Sequence, residues 1–165
     1  GTQLTYTPSD RTTLNWSTFI GNDKPDSVSQ LRFFNDLYAQ LQLSERFGIT
    51  AGFDIGMEQA HNGDGSAVWL SPVLIARYAL GGKSFIAAHA EWYRDEDGVI
   101  IATGTEHGFN TVGWSVNFDR RVAPNVLWRI EARSLTSQDQ IFADAGGHAS
   151  ATNTFFTTSL SITFP

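Results

Sequence analysis

Cysteine is absent from the 165 residues, which excludes disulfides, cysteine-ligated zinc and thiol catalysis. Lysine is nearly absent: only Lys24 and Lys83 occur, both in predicted turns. Soluble β proteins commonly place lysine along solvent-facing and edge strands, and the strand candidates here carry none. No run of 18 apolar residues exists, so no transmembrane helix is expected. That does not exclude a membrane protein, because barrel strands alternate and their average hydropathy looks ordinary. The mean hydropathy of −0.19 with 41% hydrophobic residues fits that case. A basic excess is also missing; the net charge of −6 leaves no electrostatic footprint for nucleic acid. The chain opens at Gly1 without a charged and apolar leader, which reads as a leader removed, a start inside a longer protein, or a cloning remnant.

What the sequence does contain is a period of two. Phe47, Ile49, Ala51, Phe53, Ile55 and Met57 fall on one parity, against Gly48, Thr50, Gly52, Asp54, Gly56 and Glu58 on the other. Six apolar residues in a row on one parity arise by chance on the order of 0.5% of the time. The preceding segment repeats the pattern from Leu31 to Leu43, broken only by Asn35. The same test predicts nine strands: Thr2 to Thr7, Thr12 to Ile20, Leu31 to Leu43, Phe47 to Glu58, Val68 to Leu80, Ser84 to Tyr93, Asn110 to Asp119, Val126 to Leu135 and Asn153 to Phe164. Most have about 9 to 13 residues, the length a tilted strand needs to cross a bilayer. The length of the chain fits a single β-barrel domain over residues 1–165.

The connections alternate in length. Pro8-Ser9-Asp10, Ser44-Glu45-Arg46, Gly81-Gly82-Lys83 and Ala123-Pro124-Asn125 are short, while Gly21 to Gln30, Gln59 to Ala67, Arg94 to Phe109 and Thr136 to Thr152 are long. Short periplasmic turns and long extracellular loops are the pattern of outer-membrane barrels. The short turns also imply registers. A turn at Ser44-Glu45-Arg46 sets Arg32 opposite Glu58, Asp36 opposite Asp54, Tyr38 opposite Gly52 and Phe34 opposite Gly56. A ring laid over a strand glycine is a device of curved sheets. The facing carboxylates are expected to find an arginine or share a proton. A turn at Ala123-Pro124-Asn125 pairs Val122 with Val126 and sets Asp119 opposite Arg129 and Asn117 opposite Glu131.

Two arrangements share this stripe, since a soluble barrel turns its apolar parity inward and a membrane barrel turns it outward. The apolar parity holds Trp16, Phe33, Phe53, Tyr78, Trp92, Trp114, Phe118, Trp128 and Phe164, too much volume for a narrow barrel. The expected lipid-facing aromatics are Phe47, Phe53, Tyr78, Trp92, Trp114, Phe118, Trp128 and Phe164, several near strand ends as in interfacial girdles. The expected lumen-lining set is Arg32, Asp36, Asp54, Glu58, Arg77, Glu91, Asp119, Arg129, Glu131 and Arg133. The fold expected is therefore an all-β, antiparallel up-and-down transmembrane β-barrel with about 8–9 strands in this chain.

Several stretches resemble the C-terminal part of bacterial outer-membrane β-barrel porins of the putative beta-barrel porin type: Trp69 with Ala76-Arg77-Tyr78, the run from Ala90 to Val99, and Asn125-Val126-Leu127-Trp128-Arg129-Ile130-Glu131. The ending Ser161-Ile162-Thr163-Phe164 is similar to the C-terminal signature read by outer-membrane assembly machinery, with Pro165 as a departure. The resemblance implies passive, porin-like transport and offers no catalytic residues.

Nine strands are odd, whereas single-chain bacterial barrels have an even number. Either upstream strands belong to the barrel, or Thr2 to Thr7 pairs only partially and eight strands close. Of the four histidines, His61, His107 and His148 sit in long loops beside Asp64, Glu106 and Asp144, without the spacing of a metal site. His89 falls on the polar parity near Glu91 and reads as a hydrogen-bonded interior residue. Asp95-Glu96-Asp97-Gly98 lacks calcium-loop spacing and reads as a solvated loop tip. Ser159 and Ser161 have no partnered histidine and no nucleophile elbow surrounds them. The four interior arginines read as salt-bridged packing in preference to an anion site.

The function expected is an outer-membrane porin in a Gram-negative bacterium, passing small polar solutes passively, with no enzyme activity, cofactor or metal. Its partners would be the lipid bilayer, the assembly machinery and those solutes, with no nucleic acid. The alternatives are a narrow non-conducting structural or adhesive barrel and a soluble β-barrel binding an apolar ligand.

Overall fold

A computed structural model describes residues 1–22, 24–25, 27–60 and 65–164. The strands are β1 (Thr2–Ser9), β2 (Thr12–Gly21), β3 (Arg32–Gln42), β4 (Phe47–Gln59), β5 (Ser66–Gly81), β6 (Ser84–Asp95), β7 (Phe109–Ala123), β8 (Val126–Ser137), the two-residue pair β9 (Phe142–Ala143) and β10 (Ala149–Ser150), and β11 (Thr152–Ile162). The large sheet has nine strands in the order β1-β2-β3-β4-β5-β6-β7-β8-β11, every neighbour antiparallel. No helix occurs among the described residues. This is the up-and-down meander that the alternation predicts.

All nine predicted strands are present, and the differences lie at their ends. β5 begins at Ser66 and β7 runs on to Ala123, because the hydrogen-bonded ladder continues past the point where the side chains stop alternating. The β9/β10 hairpin inside the last long connection is too short to produce a periodic signal.

The predicted register of β3 and β4 is the observed one: Arg32 faces Glu58, Phe34 faces Gly56, Asp36 faces Asp54 and Tyr38 faces Gly52. Asp119 faces Arg129 and Asn117 faces Glu131, also as read from the turn. One pairing differs. Ala123, and not Val122, pairs with Val126, and the ladder shifts between Arg121 and Ala123. Pro124 brings a fixed φ and no amide hydrogen. The turn tightens onto Pro124-Asn125, and Val122 is absorbed as a bulge. The β5–β6 hairpin is similar. Gly82 and Lys83 form a two-residue connection with φ of 56° and 68°, the left-handed pair that matches strand twist, and a bulge precedes it.

With nine antiparallel strands, β1 and β11 point the same way, and each has a single neighbour in the sheet. β1 pairs with β2 from Thr2 through Tyr6 and again at Ser9, with a shift of register between the two.

Burial is inverted relative to a soluble domain. Among the described residues Trp69 is the one buried hydrophobic, whereas 28 large hydrophobics are exposed, including Trp114, Leu74, Phe156 and Leu160. Eleven of the described polar or charged residues are buried, and all but Ser84 and Ser134 share the parity of Arg32 and Glu58. Soluble cores bury the opposite set.

The apolar face handles its polar atoms locally. Trp16 donates its indole N–H to Asn35 at 2.8 Å, Trp92 to Asn110 at 2.9 Å and Trp128 to Thr158 at 2.9 Å. Asn35, the one break in the stripe of β3, is therefore the acceptor for an aromatic neighbour on β2.

Candidate functional site

Cross-strand registry places Arg32, Asp36, Asp54, Glu58, Arg77, Glu91, Asp119, Arg129, Glu131 and Arg133 on one face. The face is concave between β2 and β6, where residues from five consecutive strands line common cavities. Phe47, Phe53, Tyr78, Trp92, Trp114, Phe118 and Trp128 lie on the opposite parity. Phe164 lies just beyond β11 and is exposed.

Most of the concave charges are paired. Arg32 donates from Nε to Glu58 at 2.8 Å, and Lys24 reaches the same carboxylate at 3.3 Å. Arg129 and Asp119 make two parallel bonds at 2.7 and 2.8 Å, with Asn117 adding a third donor to Asp119 at 2.8 Å. Arg133 bonds to Glu91, and His89 stands 3.8 Å from that carboxylate. Forked arginine–carboxylate bonds fix orientation as well as charge. Arg77 departs from the expected pattern: its guanidinium lies 3.8 Å from the centre of the Phe85 ring, a cation–π contact across the β5–β6 hairpin. Asp36 and Asp54 face each other, and neither has an ion-pair partner among the described residues. Of the two outcomes expected for facing carboxylates, an arginine partner or a shared proton, the first is not found among the described residues.

An aromatic shelf occupies the long-loop half of this face. Phe34 and Trp69 lie nearly parallel, with centroids 6.3 Å apart and planes 10° off, and the Arg32 guanidinium sits 5.4 Å from the Trp69 centroid. Gly56 lies between them in the ladder, paired with Phe34 on one side and Trp69 on the other. The ring covering Gly56 is that of Trp69: a Cβ there would fall 1.9 Å from its Cζ2. Phe34 was the ring expected over this glycine, but the larger indole from β5 fills the space. A Cβ at Gly52 would meet the Cβ of Val73 at 3.8 Å and that of Tyr38 at 3.9 Å, with no ring among its three nearest atoms. Trp69 was the residue that parity reading undervalued, since a tryptophan on the polar parity gives no period signal, and only its register opposite glycine reveals it.

Three cavities follow one another along this face. One of about 400 Å³ lies under the aromatic shelf, one of about 250 Å³ contains Asp36, Tyr38 and Ser71, and one of about 480 Å³ lies near the short turns with Arg11, Arg46 and Arg77. Asp54 lines the first two, while Gln40 and Thr50 line the second and third.

The connection from 96 to 108 is built on Asp95. Its side chain is fully buried and accepts the backbone N–H groups of Val99 at 2.9 Å and of Ile100 and Ile101 at 2.8 Å. Asp95 is therefore not solvated as expected, while Glu96 and Asp97 beside it are exposed. Aspartate before a glycine turn favours capping the following amides, and Gly98 has the required positive φ of 63°. Asp95→Ala is expected to lower the opening free energy of residues 99–101 by about 2–4 kcal/mol, as three amides lose their acceptor. Hydrogen exchange at those amides is the measurement, and unchanged protection would refute the capping role.

That connection is tied to the next one. Asp139 accepts the His107 backbone N–H at 2.8 Å and bonds its ring Nδ1 at 2.9 Å. The hydrogen bond to Asp139 pushes the His107 pKa up from 6.5, and the His107 backbone bond holds Asp139 below 3.8. The histidine contribution is complete below pH 6.5 and is lost as pH rises through the raised value. The aspartate contribution is complete above 3.8 and is lost as pH falls through the depressed one. The tie should thus be firmest between about pH 4 and 6.5. An NMR titration of His107 should give a midpoint above 6.5 that drops in Asp139→Asn; equal midpoints would remove the tie. His148 and Asp144 form a looser exposed pair at 3.4 Å. His61 and Asp64 lie outside the described residues.

An all-antiparallel wall with charges enclosed on its concave side and large apolar side chains bared on the other is the architecture of membrane β-barrels. The chain belongs to the family described as "Putative beta-barrel porin-2, OmpL-like", whose sequence model matches residues 1–164. No curated protein and no solved structure matches it.

Proposed function

We propose that the chain forms the wall of a porin in a bacterial outer membrane and lets small polar solutes diffuse passively. Its apolar parity would face lipid and its charged parity the water-filled interior. The observation that carries this reading is the inverted burial: among the described residues Trp69 is the one buried hydrophobic, while Glu58, Asn117 and Asp119 are buried on the concave face. Family membership supports it. In this reading Arg32, Asp36, Asp54, Glu58, Arg77, Glu91, Asp119, Arg129, Glu131 and Arg133 set the field that a solute meets. Phe47, Phe53, Tyr78, Trp92, Trp114, Phe118, Trp128 and Phe164 would contact acyl chains and the interface. The partners are the bilayer, the outer-membrane assembly machinery and the solutes themselves. Among the described residues of the concave face none combine a nucleophile, a base and an orienting group, and no reaction is assigned.

Planar-bilayer recording of the protein tests the proposal. Stepwise conductance is the expected result. A folded protein that inserts without conductance would point to a structural or adhesive barrel. A chain that stays folded and monomeric without detergent would overturn the lipid-facing assignment as well.

A further inference from the structure

We infer that the cavity under the aromatic shelf is a binding site for small organic cations of the alkylammonium class. The inference rests on the reading that the concave face is the water-filled interior. Phe19, Phe34, Trp69 and Tyr93 line the cavity with rings, Arg32 and Ile100 complete its lining, and Asp54 supplies its carboxylate. Its volume of about 400 Å³ lies within the range of small-ligand sites. Aromatic faces attract a desolvated cation through the ring quadrupole, most strongly where water is limited. The chain already uses this contact here, since the Arg32 guanidinium sits 5.4 Å from the Trp69 centroid. Arg32 does not take the place of the ligand's charge, because Glu58 holds it at 2.8 Å.

Charge complementarity selects the cation over a neutral or anionic solute. Glu58, Glu91 and Asp119 each hold an arginine, whereas Asp54 faces Asp36 and neither has an ion-pair partner among the described residues. A bound ammonium would neutralise the Asp54 side of that pair while lying against Phe34 and Tyr93. The approach is biased the same way. Among the described residues, the four long connections (residues 22–31, 60–65, 96–108 and 138–151) carry five carboxylates against one lysine, a net of −4. The four short turns carry three basic and two acidic residues. An acidic rim raises the local concentration of cations and their rate of entry.

Trp69 is the one tryptophan on the concave parity, the other four being on the apolar parity, so its fluorescence reports this cavity. The experiment titrates choline into the full chain folded in detergent, with glucose and acetate as neutral and anionic probes. A saturable choline response is expected that vanishes in Trp69→Phe and weakens at least tenfold in Asp54→Asn. Circular dichroism checks folding of each variant, and Phe34→Leu, expected to weaken binding about fivefold, serves if Asp54→Asn does not fold. No saturable choline response, an equal or stronger response to glucose or acetate, or unchanged affinity in the folded variants would overturn the site. Choline binding without bilayer conductance would leave the site standing and remove the porin reading. Conductance without choline binding would do the reverse.

Discussion

Leu74→Arg is expected to cost about 2–4 kcal/mol of folding free energy in lipid vesicles, the penalty for a charge at the midplane of a barrel's lipid face. Leu74 lies near the middle of β5, is 52% exposed, and pairs with Ala51 and Ala90 in a row that continues to Trp114. In water the same residue would be an exposed leucine, and arginine there would change stability by no more than about 0.5 kcal/mol. The solvent on that face therefore decides the outcome. Thr157→Arg is the matched control, on the concave parity of β11 opposite Glu131 and exposed, and should stay within about 0.5 kcal/mol. Urea titration of the vesicle-inserted protein reads both. A Leu74→Arg cost no larger than that of the control would remove the lipid from that face.

Gly56→Ala is the second large expected effect, and it acts from inside. The new methyl would need the space of the Trp69 ring, with contacts of 1.9, 2.0 and 2.5 Å to three of its atoms. The indole must leave, and it takes with it the stacking on Phe34 and the contact with Arg32. Overpacking on this scale costs about 3 kcal/mol. In a Trp69→Leu background the clash is relieved, so Gly56→Ala should then cost less than about 1 kcal/mol. A double-mutant cycle with no coupling would mean that the glycine is there for some other reason. The same variant should abolish the choline response proposed for the cavity, because the shelf that lines it is displaced.

Much of the fold was legible because a strand with unlike faces writes its geometry into the sequence. Parity from Phe47 to Glu58 and from Leu31 to Leu43 identified two strands, and the short turn between them fixed their register. Once that register is set, Arg32 must face Glu58 and Asp36 must face Asp54, since each step of two returns to the same face. Turn chemistry was legible to within a residue. At Pro124 the ring shortened the turn and pushed Val122 into a bulge, a choice between near-equal closures that local sequence leaves open. The alternation of short and long connections, and the absence of lysine from the strands, were equally plain.

The sequence by itself determined which side chains share a face, the antiparallel meander and the charged set on one parity. Tertiary structure alone decided which of those charges meet, because an arginine reaches across strands and chooses among several carboxylates. Arg133 takes Glu91 from a strand two away, and Arg77 takes the Phe85 ring in place of a carboxylate. It alone decided that Trp69, from β5, covers Gly56 where Phe34 was expected, since two rings compete for one gap and the larger one fits it. It alone turned Asp95 from a loop charge into a buried cap for three amides, a role set by how the following residues fold back. Periodicity records a direction, in or out. Partners depend on distance and volume, which only the assembled sheet supplies.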